Sequence, residues 1–263
     1  MKSFFFFLTT FFDNPIMRGF SFALWAVPIY FLLDITVVGK DYDIIQGFIE
    51  WFGVPYGLLL ALVLVNVWTQ FEATNRSFDE EADAILMVYD TTLLVLDSSI
   101  KAKVCCLLLL YAKHVYKHYD DEFENKTKKS IGDIILNKIR TSVGILLWDK
   151  NDKELGLEII REVNKLIDLR GDRLAHSKQR ILPPVFWLSF IASIIWLLPF
   201  FALNFIDPKL GIVFITGVTL IVVAILLVIL DLDDPITGTW KVKLDSWKDL
   251  IETIEKLNRK VSS

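Results

Sequence analysis

Four long apolar stretches constrain this chain more than any other feature. The hydrocarbon core of a bilayer is spanned by about 20 apolar residues in helical conformation. Residues 20–39, 55–68, 185–205 and 210–230 meet or approach that length. The remainder is rich in Lys, Arg, Asp and Glu, so the 54% hydrophobic content is concentrated in blocks. An ordinary soluble domain carries about 45–50% apolar residues, spread through the chain. Eight Trp and 20 Phe suit a protein with interfacial anchors and lipid-facing bulk. The expected fold class is therefore all-α: a membrane protein with four transmembrane helices and a helical cytoplasmic domain.

Charge orients the spans. Lys40 stands with Asp41, Asp43 and Glu50 between the first two, and Asp207 and Lys209 lie between the last two. The other Lys and Arg residues fall in the N-terminal segment, between Arg76 and Arg180, or after Asp231. By the positive-inside rule both termini and the middle region are cytoplasmic, which an even number of spans allows. The first stretch carries Asp34, an intramembrane acid that is either functional or reaches interfacial water. The second is expected to start at Pro55, since proline suits the first position of a helix. Asp13, Asn14 and Pro15 follow the aromatic start where a cleavage site would need small residues. A cleaved signal peptide is not expected, and residues 4–12 read as an interfacial segment.

Four sections result: 1–72 with the first two spans, 73–182 as the cytoplasmic domain, 183–230 with the last two spans, and 231–263. In the middle section, Ile131, Ile134, Ile135, Ile139, Val143 and Leu147 recur at helical spacing. So do Leu155, Ile159, Ile160, Val163 and Leu166, behind the capping candidates Asn151 and Asp152. Near the end, Leu244, Trp247, Leu250, Ile251, Ile254 and Leu257 mark an amphipathic helix for the cytoplasmic domain or the bilayer surface.

Catalytic signatures are sparse. The chain has no phosphate-binding G-x-x-x-x-G-K-[ST], no G-x-G-x-x-G and no G-x-S-x-G. A net charge of −4 argues against a nucleic-acid partner. Cys105 and Cys106 are adjacent, which suits two reduced thiols rather than a disulfide or a metal site. His114 and His118 share a helix face, with Asp120, Asp121 and Glu122 beyond. That spacing allows two zinc ligands without specifying a third, while Lys113 and Lys117 point to a solvated face. No cofactor is expected.

The stretch 58–84, LLLALVLVNVWTQFEATNRSFDEEADA, is the most informative. An apolar helix passes into a polar one with no breaker between them. Asn66, Thr69 and Gln70 mark the transition. Such a helix either emerges into a cytosolic helix or lines a water-filled passage, because polar groups at membrane depth face protein or water.

This segment resembles the second helix of bestrophins and of the bacterial bestrophin-like domain family. The resemblance rests on the apolar run at 58–65, Asn66, Trp68 and the sequence Phe71, Glu72, Ala73. A second similarity is the acidic, proline-containing turn Asp231, Leu232, Asp233, Asp234, Pro235, Ile236, Thr237, Gly238, in which Gly238 would permit a positive φ. Arg173, Pro183, Pro184 and Trp187 also stand where that family has Arg, Pro and Trp before its third span.

The resemblance implies a homo-oligomeric ring, a pentamer in the family, within the lipid bilayer and passing small inorganic ions: it favours anions such as chloride, whereas Glu72, Glu80 and Glu81 repeated around a ring would favour cations. It places Val54, Leu58 and Leu62 at the neck, where bestrophins carry aromatic residues. Asn66, Thr69 and Gln70 would form the polar lining, and Glu72, Glu80 and Glu81 a vestibule. Asp231, Asp233 and Asp234 would be a cation clasp or a structural turn. The run of acids that follows this turn in calcium-gated animal bestrophins is replaced by Thr237, Thr239, Trp240 and Lys241, so calcium gating is not implied. A membrane scaffold acting through its cytoplasmic helices stands as the second reading, and a metalloenzyme built on His114 and His118 as the third.

Overall fold

The computed structural model describes residues 15–33, 40–119, 131–148, 152–203, 205 and 207–262, and among them there is helix, turn and bend but no strand. The helices are α1 (Pro15–Leu24), α2 (Ala26–Leu33), α3 (Lys40–Leu93), α4 (Ser98–His118) and α5 (Ile131–Gly144), followed by a 3-10 turn at Ile145–Trp148. They continue with α6 (Lys153–His176), α7 (Pro183–Ala202), α8 (Pro208–Asp233) and α9 (Asp245–Ser262). The chain divides into two compact units, one holding residues up to 70 and 180–241, the other 71–179 and 242–263. Asp34, residues 4–12, Asp120, Asp121 and Glu122 lie outside the described residues.

The first unit is apolar. Among the described residues, three helices are long and apolar enough to cross a membrane, within Tyr42–Leu93, Pro183–Ala202 and Pro208–Asp233. The first expected span does not appear as one helix over the described part of its length. Pro28 lacks an N–H and its ring crowds the carbonyl four residues back, which is that of Leu24. Helix α1 ends at that residue, and α2 restarts at Ala26. Gly19 lets α1 approach α8 closely, since a Cβ there would stand 3.2 Å from the Ala224 Cα. Small residues serve membrane helices in this way, because packing rather than water expulsion holds them together.

Helix α3 corrects the expected start of the second span. It begins at Lys40 and carries Pro55 in its interior, so residues 40–51 belong to the same helix. Pro55 removes the bond to the Trp51 carbonyl, yet the adjoining residues are anchored to α7. The Tyr56 hydroxyl donates to Ser193 Oγ at 2.8 Å, and the Tyr56 and Trp196 rings stack with centroids 4.9 Å apart. The Trp196 indole N–H reaches back to the Ile49 carbonyl at 3.4 Å. Helix α7 opens on Pro183 and Pro184, whose missing N–H groups cost nothing at a helix start. Helix α8 opens on Pro208 behind Asp207, whose carboxylate accepts from the Lys209 N–H at 2.9 Å.

The second unit is a helical bundle with its own core. Phe78, Ile85 and Tyr89 of α3 meet Val104, Leu108, Tyr111 and Val115 of α4 there, with Ile139 of α5 and Ile159, Val163 and Leu166 of α6. Helix α9 belongs to this unit: Trp247, Leu250 and Ile254 are buried in the same core, and the Trp247 indole donates to the Phe78 carbonyl at 3.0 Å. Asp97 caps α4 by accepting from the Ser99 and Ile100 N–H groups. Asp152 stands at the N-cap position of α6 without a side-chain cap bond. Its buried carboxylate accepts instead from the Leu96 and Asp97 N–H groups, tying down the turn before α4.

Candidate functional site

Helix α3 has two faces within the first unit. At about 100° per residue, Tyr56, Leu60, Val63 and Val67 fall within an arc of about 60°, and all four are buried. Val54, Leu58, Leu62, Val65 and Thr69 fall on the opposite side, within about 80°. Val54 is 76% exposed, Leu58 60% and Leu62 61%. These three succeed one another at single helical turns, so their side chains share one stripe.

One turn beyond Leu62 the stripe becomes polar. Asn66 and Thr69 are exposed and Gln70 is half-buried. The Gln70 amide donates to Asn66 Oδ1 at 2.7 Å, and the Thr69 hydroxyl donates back to the Val65 carbonyl at 2.8 Å. Local bonds of this kind satisfy polar side chains at the edge of an apolar region.

Of the three vestibule acids, Glu72 and Glu80 are exposed. Glu81 is not: it is fully buried in the second unit, which corrects its expected place in a water-filled vestibule. Its carboxylate pairs with the equally buried guanidinium of Arg173 and accepts from the Tyr111 hydroxyl. Arg173 also lies over the Phe78 ring, 5.0 Å from its centroid. A buried carboxylate must be paired and hydrogen-bonded to be tolerated, and these contacts supply both. Burial, then the Glu81 charge, pushes the Tyr111 phenol well above its ordinary value, so it remains a hydrogen-bond donor. In the sequence Arg173 stands out only as a residue before the third span. Sequence reading missed its partnership with Glu81, for which an acid and an arginine both flanked by core residues are the only local signal.

In the acidic turn each carboxylate has protein partners. Asp231 accepts from the Thr239 N–H at 2.7 Å and the Trp240 N–H at 3.0 Å. Asp233 accepts from the Ile181 N–H at 2.6 Å. Asp234 accepts from the Ile236 and Thr237 N–H groups and from the Thr237 hydroxyl, and pairs with Arg180 at 3.2 Å. Burial alone would raise the Asp234 carboxyl, but the Thr237 and Ile236 bonds and the Arg180 charge outweigh it and hold it below its ordinary value. The three acids thus tie the end of α8 to the chain before α7 and to the residues that follow α8.

Gly238 does not adopt a positive φ; its requirement is space. A Cβ there would lie 2.6 Å from the carbonyl oxygens of both Asp231 and Asp234. The Gly238 N–H meanwhile donates to the Asp234 carbonyl at 3.0 Å.

The His114 and His118 rings stack with centroids 5.1 Å apart. Among the described residues, no group of three or more His, Cys, Asp or Glu side chains is arranged to hold a metal ion. Cys105 is buried and Cys106 exposed, both as free thiols. Burial pushes the Cys105 thiol up to about 11.

Comparison with known proteins places this geometry in a family. Residues 20–246 match the family described as the bestrophin-like domain. No curated protein matches the chain in sequence. Solved structures do match in fold. A single-residue variant of a bacterial bestrophin homolog from Klebsiella pneumoniae superposes with a TM-score of 0.67 at 11% identity, covering 93% of this chain and 97% of that one. A second variant of the same homolog gives 0.65 at 12% identity, with coverages of 92% and 95%. The homolog solved by zinc anomalous phasing gives 0.64 at 12% identity, with the same coverages. With the family match spanning residues 20–246 and the fold shared over 92% of the chain or more, this all-helical membrane protein belongs to the bestrophin-like domain family.

Proposed function

We propose that this chain is one subunit of a homo-oligomeric ion channel, pentameric as the resemblance implies, with α3 lining the axial pore. The carrying observation is the opposition of the two faces of α3. One face is consumed by packing inside the subunit; the other presents Val54, Leu58 and Leu62 outward and then turns polar at Asn66, Thr69 and Gln70. Repeated around an axis, the three apolar residues form rings that gate by dewetting. The polar residues receive the rehydrating ion beyond them. Four spans, with both termini cytoplasmic, complete the proposed topology.

Small anions such as chloride are the proposed permeant class. Rings of acidic side chains favour cations, and the pairing of Glu81 with Arg173 withdraws one acid per subunit from the accessible set. Glu72 and Glu80 remain as exposed acids whose replacement reports on selectivity.

The test is current through the purified protein in planar bilayers, with ion substitution and with Leu62→Ala. Leu62 is mostly exposed in the subunit, so its truncation spares the fold. Conductance is expected to rise as the ring widens, with the oligomer intact. A weakened oligomer with unchanged single-channel current means that Leu62 packs between helices, where its loss costs about 2–5 kcal/mol per subunit, and removes the pore assignment.

A further inference from the structure

We propose that the cleft between α4 and α5 binds a single-chain amphiphile with an anionic head, a fatty carboxylate in the simplest case. The cleft has a volume of about 640 Å³ and lies wholly within the second unit. That size is in the range of small-ligand sites. None of its lining residues belongs to the α3 stripe assigned to the ion passage, so the site does not depend on conduction.

Its two walls repeat one arrangement. Helix α4 contributes Lys103 and, one turn on, Leu107; α5 contributes Ile134 and, one turn on, Lys138. Each wall thus sets an aliphatic side chain one turn from an ammonium. Lysine lays its methylene stem along apolar surface and keeps its charge in water, and both lysines are exposed. The apolar surface continues on each helix. Leu110, one turn past Leu107, is 53% exposed, and Ile131, one turn before Ile134, is 59% exposed.

Charge points to an anion. Helix α4 carries Lys101, Lys103, Lys113 and Lys117 and no acid. The acid of α5, Asp133, is paired with the buried Arg170, and Lys113 is paired with Glu255 at 2.6 Å. Among the described residues no carboxylate lines the cleft, and neither Lys103 nor Lys138 has an acidic partner. This local excess of positive charge arises in a chain of net charge −4 and concentrates anions at the cleft. The exposed Asn137 amide, beside Lys138, adds a neutral N–H donor. The Thr141 and Ser142 hydroxyls add none, because they donate to the Asn137 and Lys138 carbonyls, both at 2.8 Å.

The floor selects the rest of the ligand. A nucleotide base stacks on aromatic rings or on an arginine plane, and the lining holds neither. Leu107 and Ile134 are aliphatic and in part open to water. An acyl chain covers them, which is favourable in proportion to the apolar area removed from water; an inorganic anion leaves them bare.

Photolabelling of the purified protein in mild detergent tests the site, with a diazirine-bearing palmitic acid as probe and peptide mass spectrometry as readout. The detergent supplies an excess of neutral amphiphile, so labelling that survives it reports the head group. Label is expected in peptides covering residues 103–110 and 131–142, displaced by dodecanoate but not by dodecanol or acetate. Lys103→Gln combined with Lys138→Gln should reduce it about tenfold, the scale of one charged hydrogen bond. Ile134→Asp is the second variant: it keeps both lysines, sets a carboxylate in the floor and should reduce labelling with them intact. Label spread evenly over the exposed helices, equal displacement by dodecanol, or unchanged labelling in both variants overturns the proposal. Displacement by acetate as effective as by dodecanoate would show an anion site without a chain and overturn it equally. Dissociation of the oligomer by Ile134→Asp at unchanged labelling would assign the cleft to a second copy of the chain and overturn it too. Bilayer currents read the channel separately: labelling that falls in both variants, in a protein that passes no current, sinks the channel and leaves this site standing.

Discussion

Replacing Glu81 by Gln separates a buried anchor from a water-facing acid. Gln has the shape of Glu and still accepts the Tyr111 hydroxyl, so the change removes a charge and almost no volume. Both Glu81 and Arg173 side chains are 0% exposed. The substitution therefore strands a guanidinium in the core. Breaking a buried ion pair by neutralising one partner costs about 3–5 kcal/mol. The cation–π contact of Arg173 with Phe78 exists already in the parent protein, so it does not offset that cost. For a chain of this size about 2–4 °C is lost per kcal/mol, so the melting temperature should fall by about 6–20 °C. Thermal and denaturant unfolding in mild detergent, followed by tryptophan fluorescence, provides the readout. The double substitution of Glu81→Gln with Arg173→Met should cost about 2 kcal/mol less than the sum of the two single changes. Were Glu81 instead a vestibule acid in water, its pair would be worth at most about 1 kcal/mol. Glu81→Gln would then leave stability unchanged and alter ion selectivity. That pattern would refute the buried-pair reasoning.

Gly238→Ala drives a methyl against two backbone carbonyls that have no rotamer by which to withdraw. We expect a loss of about 1–3 kcal/mol, the usual cost of overpacking, read as a lower midpoint in the same unfolding assays. Asp234 has a folded-state pKa below its ordinary value of 3.8, so its stabilising contribution is fully present above that value and fades as pH falls through the lower folded value. The stability gap between the parent and Asp234→Asn should therefore be constant near neutral pH and close on acidification below about pH 4. A maleimide at neutral pH should modify Cys106, which is exposed, and spare Cys105, which is buried with its thiol at about 11. Peptide mapping of the labelled protein checks this, and both thiols should react after denaturation.

Much of the architecture was legible in the residues themselves, because apolar runs and helical periodicity are local properties of a chain. The runs at 185–205 and 210–230 correspond to α7 and α8, and the spacing of Trp247, Leu250 and Ile254 places them on one face of α9. The polar change at Asn66 and the acidic turn at Asp231–Gly238 stand out in the same way, as abrupt shifts of composition. Tertiary structure decided the rest. Proline at position 55 suggested a helix start, but contacts from Tyr56 to Ser193 and Trp196, across more than a hundred residues of chain, carry the helix through it. Gly238 looked like a conformational requirement and is a steric one, set by carbonyls that only the folded turn brings near. Glu81 sits in a run of acids that reads as a solvated surface. Its partner lies 92 residues away in sequence, and no local pattern carries that distance. A charge is solvated by water or by an opposite charge, and which one it meets is settled only when the helices pack.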